Sequence, residues 1–474
     1  MLLLLTRRSQ VIATHPTLLR TTRVFAFAAI VALVASCVAT NPDVERPDAP
    51  APIVTKQRVL SDDASDRVLH RALDDYKNDT QVRELIDSVR RYASAPFVAG
   101  NRVDVLIDGP QTYESIESAM ESARHHIHVE TFIFGADAVG RRFADLLVRK
   151  HNEGVAVKVL YDSVGSMETP KTFFDELRQK GLDVREFRPM NPVKTPRIWE
   201  IQNRDHRKIV VVDGKIGFTG GINIDGTYSS ASSSKPGPKA GMEDGWRDTH
   251  VRIEGPVVKQ LQTLFIDTWN EAGERTTFEP QRKYFPQARE VGEHLVTIVA
   301  NKSGSDDRSL YGTYLAAFQN AHKRLWITHA YFAPNDELLD AMKDAVKRGV
   351  DVQLIVPGFT DSRIVLQATR STYTDLLDAG VKIYQLEDAF LHAKSVVIDS
   401  TVAIIGSANL DMRSFLHNDE ANAIIVSREI GERMDQAFKR DIGNAHRIDP
   451  KTWDDRSLLQ RMKELGARMM GFWL

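Results

Sequence analysis

With one cysteine in 474 residues, Cys37, the chain can form no internal disulfide and no cysteine-rich metal cluster. A formal net charge of −2 removes any general attraction to nucleic acid. Long apolar runs are missing too: the stretch 24–35 is of signal-peptide length and too short for an ordinary spanning helix. What remains is 42% apolar content over a length that suits two cores.

Within that length one short pattern occurs twice. His206, Lys208 and Asp213 stand in H-x-K-x-x-x-x-D, and His392, Lys394 and Asp399 repeat it. Each copy runs into a small-residue turn and an asparagine seventeen residues after its histidine: Gly220-Gly221-Ile222-Asn223, then Gly406-Ser407-Ala408-Asn409. The residues between Lys and Asp are β-branched and predict short buried strands. Alternate strand residues share a face, so each His projects beside its Lys. Asp213 and Asp399 fall at the strand ends before a turn, where a carboxylate either braces the chain or takes part in the site.

These residue types suit chemistry at phosphorus. A neutral imidazole is a nucleophile near pH 7, and a second imidazolium can protonate a leaving alkoxide. The lysines and Asn223, Ser407 and Asn409 offer charge and donors to phosphoryl oxygens. The set calls for no metal and no cofactor.

The duplication is longer than the motif. Residues 123–132 match 321–332, 153–160 match 348–355, and 180–187 match 379–386, each a helix end running into a strand. Each half therefore reads as β-α-β-α-β followed by a motif hairpin, an α/β sheet covered by helices on both faces. The expected divisions are 1–37, 38–95 (a Pro-rich tether and a helical segment), 96–289, 290–445 and a tail, 446–474.

The paired motifs, with Trp246-Arg-Asp248, Phe265-Ile-Asp-Thr-Trp269 and Asn409-Leu-Asp411-Met-Arg413-Ser414-Phe415, resemble the phospholipase D superfamily, in its bacterial cardiolipin synthase branch, over about residues 96–445. The resemblance implies two tandem phospholipase D-like α/β domains packed with pseudo-twofold symmetry around one cleft. It implies an acidic residue after each motif that bonds a catalytic histidine; Glu420 fits in the second half and Asp248 in the first. It implies a phosphatidyltransferase in which one histidine forms a phosphohistidine and the other handles the proton of the alcohol. Phosphatidylglycerol would be both donor and acceptor, with His206 as nucleophile and His392 as acid and base. A hydrolase yielding phosphatidate is the nearest alternative and a nuclease a more distant one. Phospholipid and a membrane surface are the implied partners, and one chain can hold a complete site.

Residues 34–37, Val-Ala-Ser-Cys, resemble a bacterial lipoprotein signal, with cleavage before Cys37 and lipidation of its thiol. Val38 after the cysteine favours an outer-membrane, periplasm-facing anchor in a Gram-negative cell. Phe390-Leu391 and residues 197–201 precede the motifs and could hold acyl chains or pack in the core. The insertion 226–241 reads as a flexible surface loop. The tail, apolar and basic, could lie on a membrane or dock on the body.

Overall fold

Two sets of seven strands with the same internal order make up the protein. The computed structural model describes residues 42, 44, 47–55, 58–73, 79–190, 202–232, 245–273 and 282–470. Cys37, the apolar run 24–35, residues 197–201 and most of the insertion lie outside them. Residues 41–474 form one compact unit.

The first half contains β1 (Phe97–Ile107), β2 (His126–Thr131), β3 (Ala156–Asp162), β4 (Asp183–Phe187), β5 (Ile209–Val212), β6 (Ile216–Gly220) and β7 (Thr249–Glu254). The second contains β8 (His294–Asn301), β9 (Arg324–His329), β10 (Asp351–Pro357), β11 (Lys382–Leu386), β12 (Lys394–Ile398), β13 (Val402–Gly406) and β14 (Asn418–Val426). Pairing runs β4-β3-β2-β5-β6-β7-β1 in one half and β11-β10-β9-β12-β13-β14-β8 in the other. The strands alternating with helices are parallel and the motif hairpins antiparallel, as their connection lengths require. Antiparallel pairing of β1 with β8, His294 opposite Asn101, joins the halves edge to edge. The expected division at 289/290 falls in the loop that leads into β8.

The motif strands are buried on both faces, which explains their unbroken apolar runs. Val210 and Val212 of β5 face the first half's own core, while Ile209 and Val211 join a core shared with the second half. In β12, Val396 and Ile398 face the second half's core and Val397 the shared one. Each such side chain contributes about 1.5–3 kcal/mol on burial, so the shared core fixes the halves against one another. The helical segment expected before residue 96 comprises Asp62–Leu73 and Thr80–Tyr92. Its Leu69, Leu85, Ile86 and Val89 pack into the second half's core, not the first's.

Candidate active site

The main chain brings each motif against the other half before any side chain is considered. Arg204-Asp205, just ahead of His206, pairs in parallel with Asn418-Asp419 of the second half. Phe390-Leu391, just ahead of His392, pairs in parallel with Trp246-Arg247 of the first. The amide of His206 donates to the Asp419 carbonyl at 3.0 Å, and that of His392 to the Arg247 carbonyl at 2.8 Å. One residue further along each partner strand stands a carboxylate. His206 Nδ1 lies 3.0 Å from both Glu420 oxygens, and His392 Nδ1 lies 2.7 Å from Asp248 Oδ2. The acidic residues therefore cross over, each half's carboxylate holding the other half's histidine.

An Nδ1–H given to a carboxylate leaves the Nε2 lone pair as the reactive atom. Burial pushes both imidazoles down to about 4, against the pull of their carboxylates, so both are neutral at pH 7 in the protein alone. Lys208 and Lys394 each donate to the carbonyl of their own histidine, two residues back on the same strand face. Burial brings Lys208 down to about 7 and Lys394 to about 8, and each lysine is near enough to repel protons from the opposite histidine. Four basic groups thus share one dry cleft, an arrangement that an incoming phosphodiester anion would stabilise.

The two carboxylates are held differently. Burial raises the Glu420 carboxyl, but His206, Lys208 and Ser407 outweigh it and keep it below the ordinary range. Its oxygens also accept from Ser407 Oγ (2.5 Å), Ser414 Oγ (2.9 Å) and Asn418 Nδ2 (3.2 Å). Asp248 is likewise held low by His392 and Lys394 against its burial, and accepts the Thr249 amide at 2.7 Å. Its own amide is fixed by Asp108 Oδ1 at 3.0 Å. Ser407 is therefore a brace for Glu420, where the sequence suggests a phosphate donor. At the matching Gly221, a Cβ would stand 2.2 Å from Asp248 Oδ1. The glycine leaves room for the carboxylate.

Asp213 and Asp399 brace the chain, one of the two roles that the sequence leaves open to them. Asp213 accepts the amides of Arg124, His125 and His126, at 2.8–3.0 Å. Asp399 accepts those of His322, Lys323 and Arg324, at 2.7–3.0 Å. Both sit in the left-handed region, at φ 54 and 51, beyond the far ends of β5 and β12 from the histidines. The motif aspartates tie each hairpin to the strand beside it, and their oxygens are occupied. Asn223 is also committed: its Oδ1 accepts the Ile133 amide at 3.1 Å and its Nδ2 donates to Tyr228 Oη at 2.9 Å. Asn409 Oδ1 is buried without a hydrogen-bond partner.

Several neighbours went unrecognised in the sequence. Phe132 lies edge-on to His206 at 5.0 Å between ring centroids and carries Lys208 above its ring. Trp246 lies 5.3 Å from His392, and Tyr228 Oη lies 3.3 Å from His392 Nδ1. Tyr228 belongs to the insertion and is buried against the site, although Thr227 and Ser229 on either side of it are exposed. It has no counterpart in the second half, so the repeat could not reveal it. Phe132 could have been found, because it closes the repeated segment 123–132. Phe390 and Leu391 are buried and belong to the core.

A family model described as "Cardiolipin synthase, PLD-like domain" matches residues 116–233 and again 314–442. Cardiolipin synthase 1 of Bacillus cereus is 36% identical over 81% of this chain and 75% of its own length. The chain belongs to the cardiolipin synthase family of the phospholipase D superfamily. A cardiolipin synthase of Listeria monocytogenes is 34% identical over 82% of this chain and 78% of the relative. The fold is shared with the phosphatidylserine synthase of Haemophilus influenzae, at TM-score 0.59 and 15% identity, across 84% of this chain and all of that one. The family places the protein among phosphatidyltransferases, and the two matched segments coincide with the two motif-bearing halves.

Proposed function

We propose that the protein makes cardiolipin by transferring a phosphatidyl group from one phosphatidylglycerol to another. The observation that carries this reading is the pair of imidazoles, each held through Nδ1 by a carboxylate of the opposite half. His392 takes up a proton at Nε2 as the phosphodiester anion enters beside it; His206 Nε2 then attacks phosphorus, and the bond to the glycerol oxygen breaks as that oxygen takes this proton from His392. The hydroxyl of a second phosphatidylglycerol then gives its proton to His392 and displaces His206 from phosphorus. Lys208, Lys394 and Asn409 hold the non-bridging oxygens, and Asn223 and Ser407 support the turns beside them.

The unequal carboxylates favour this division of labour. Glu420 spreads its charge over three other side-chain donors and so supports an imidazolium at His206 weakly, as a nucleophile requires. Asp248 makes the shorter bond to His392, and no other side-chain donor within hydrogen-bonding distance of it is described. The residue that must carry the proton is the one better supported. Tryptic mapping of protein quenched during turnover should find a phosphatidyl group on His206; the same group on His392 would reverse the roles.

The decisive experiment is lipid mass spectrometry after incubation with phosphatidylglycerol vesicles, beside His206→Ala and His392→Ala. Cardiolipin and glycerol, absent with both variants, are expected. Phosphatidate as the sole product would make the enzyme a hydrolase, and cleaved DNA with intact lipid would sink the lipid reading altogether. Among the described residues no helix is long and apolar enough to cross a membrane. Our reading of the amino terminus is a lipid anchor on Cys37 at the periplasmic face of a membrane, the outer one in a Gram-negative cell. Incorporation of labelled fatty acid that disappears in Cys37→Ser tests it.

A further inference from the structure

The C-terminal helix, Leu458–Arg468, divides into three faces. One is docked: Gln460 Nε2 donates to Gln367 Oε1 at 2.6 Å, Glu464 and Ala467 are buried, and Arg468 is paired with Asp336 and Asp375. The opposite face is apolar and open. Leu458 is 75% exposed, Met462 62%, Leu465 61% and Met469 51%, spaced i, i+4, i+7 and i+11 in one line. Leu459 and Met470 widen that line to one side. At 100° per residue, Arg461 and Lys463 fall on its two borders, between the apolar arc and the docked face.

The helix sits on the rim of the cleft. It packs on the helix Arg363–Ser371, which starts beyond the carboxyl end of β10. From there a run of ring contacts leads to the reacting group: Phe359 edge-on to Phe390, Phe390 stacked on Trp246 at 4.2 Å, and Trp246 tilted beside His392. Asp336, which holds Arg468, opens the helix Asp336–Lys347, and Asp375, which holds it too, lies in the first turn of Tyr373–Asp378. Ile364, 46% exposed, continues the apolar stripe toward the cleft.

We propose that this helix is a lipid-docking element, lying in the headgroup layer of an anionic bilayer with its apolar line inserted and Arg461 and Lys463 against lipid phosphates. The proposal rests on the phospholipid reading of the site. Its physical support is the basic border on both sides of an apolar stripe and the stripe's continuity with the mouth of the cleft. A core-facing helix would bury that line, and a protein-facing one would have no use for cations on both flanks. Docked in this way, the helix places the His392 side of the cleft where a headgroup is drawn up from the membrane.

The test uses the full chain with Cys37→Ser and a single engineered thiol, Met462→Cys, carrying an environment-sensitive fluorophore. A matched label goes on Lys347→Cys, at the end of its helix remote from the cleft. With phosphatidylcholine–phosphatidylserine vesicles containing spin-labelled lipid, the label at 462 should shift to the blue and be quenched, and the label at 347 should not. Leu458→Glu/Leu465→Glu should lower turnover on vesicles about tenfold and leave turnover in detergent micelles within about twofold. An unquenched label at 462 overturns the proposal, as does self-association through the stripe that Met462→Glu abolishes without any quenching. Quenching needs no turnover. A quenched label on a protein that makes no cardiolipin would therefore retire the proposed reaction and keep the docking surface.

Discussion

At the scale of single residues, the site is a set of protonation states enforced by neighbours. Glu420→Gln and Asp248→Asn keep shape and remove the charge that fixes each imidazole tautomer. Each should lower the transfer rate by about 10²–10⁴-fold with little change in melting temperature. Gly221 and Ser407 occupy the same place in the two turns and should respond differently. Gly221→Ala pushes a methyl into Asp248 and should cost about 1–3 kcal/mol together with most of the activity. Ser407→Ala removes one of several donors to Glu420 and should reduce the rate only about tenfold. The lysines add a pH dependence of known sign. Burial lowers Lys208 to about 7 and Lys394 to about 8, so their positive charge is lost as pH rises. The KM for lipid should therefore climb between pH 7 and 9, measured in micelles at fixed ionic strength, and the climb should flatten in Lys208→Arg/Lys394→Arg.

At the scale of elements, the hairpins are secured by Asp213 and Asp399. Asp213→Ala strands three backbone amides and should destabilise the fold by roughly 2–4 kcal/mol, read as a lower denaturation midpoint, while the folded fraction keeps its specific activity. Burial raises the Asp213 carboxyl, but the three amides outweigh it and hold it below its ordinary value. Its contribution is therefore complete above the unfolded value near 4 and disappears as pH falls through the folded one. Much at this scale was legible in the sequence. Period-two apolar runs and helix-ending glycines placed the strands of both halves, and the duplicated spacing set His206 beside Lys208 and His392 beside Lys394. Bracing by the motif aspartates was legible as one of two roles, but what they brace was not, because their three donors come from residues nearly ninety positions away in one half and nearly eighty in the other. The crossing of Glu420 to His206 and Asp248 to His392 was equally hidden. Each carboxylate follows its own half's motif in sequence, and only the parallel ladders of Arg204-Asp205 and Phe390-Leu391 carry it to the other half.

At the scale of the whole molecule, two halves meet through β1 and β8 and through a core that neither owns. Acid should expose the cost of keeping both histidines neutral inside it. Their folded values, near 4, lie below the usual 6.5, so the unfolded chain takes up more protons between those limits. Stability should fall with decreasing pH across that window, by about 1.4 kcal/mol per unit for each histidine, and His206→Gln/His392→Gln should weaken that slope. Urea titrations at pH 7, 6 and 5 would measure it.

The crossed carboxylates also set the moment at which the chain becomes chemically active. A ribosome that has delivered the whole first half has delivered His206, Lys208 and Asp213, yet the group that orients His206 lies more than two hundred residues downstream. Asp248, already made, is waiting for a histidine that does not yet exist. The growing polypeptide therefore stays inert toward phosphodiesters until β14 has emerged and folded against the first half. Activity becomes a property of the nearly finished molecule, switched on by β14.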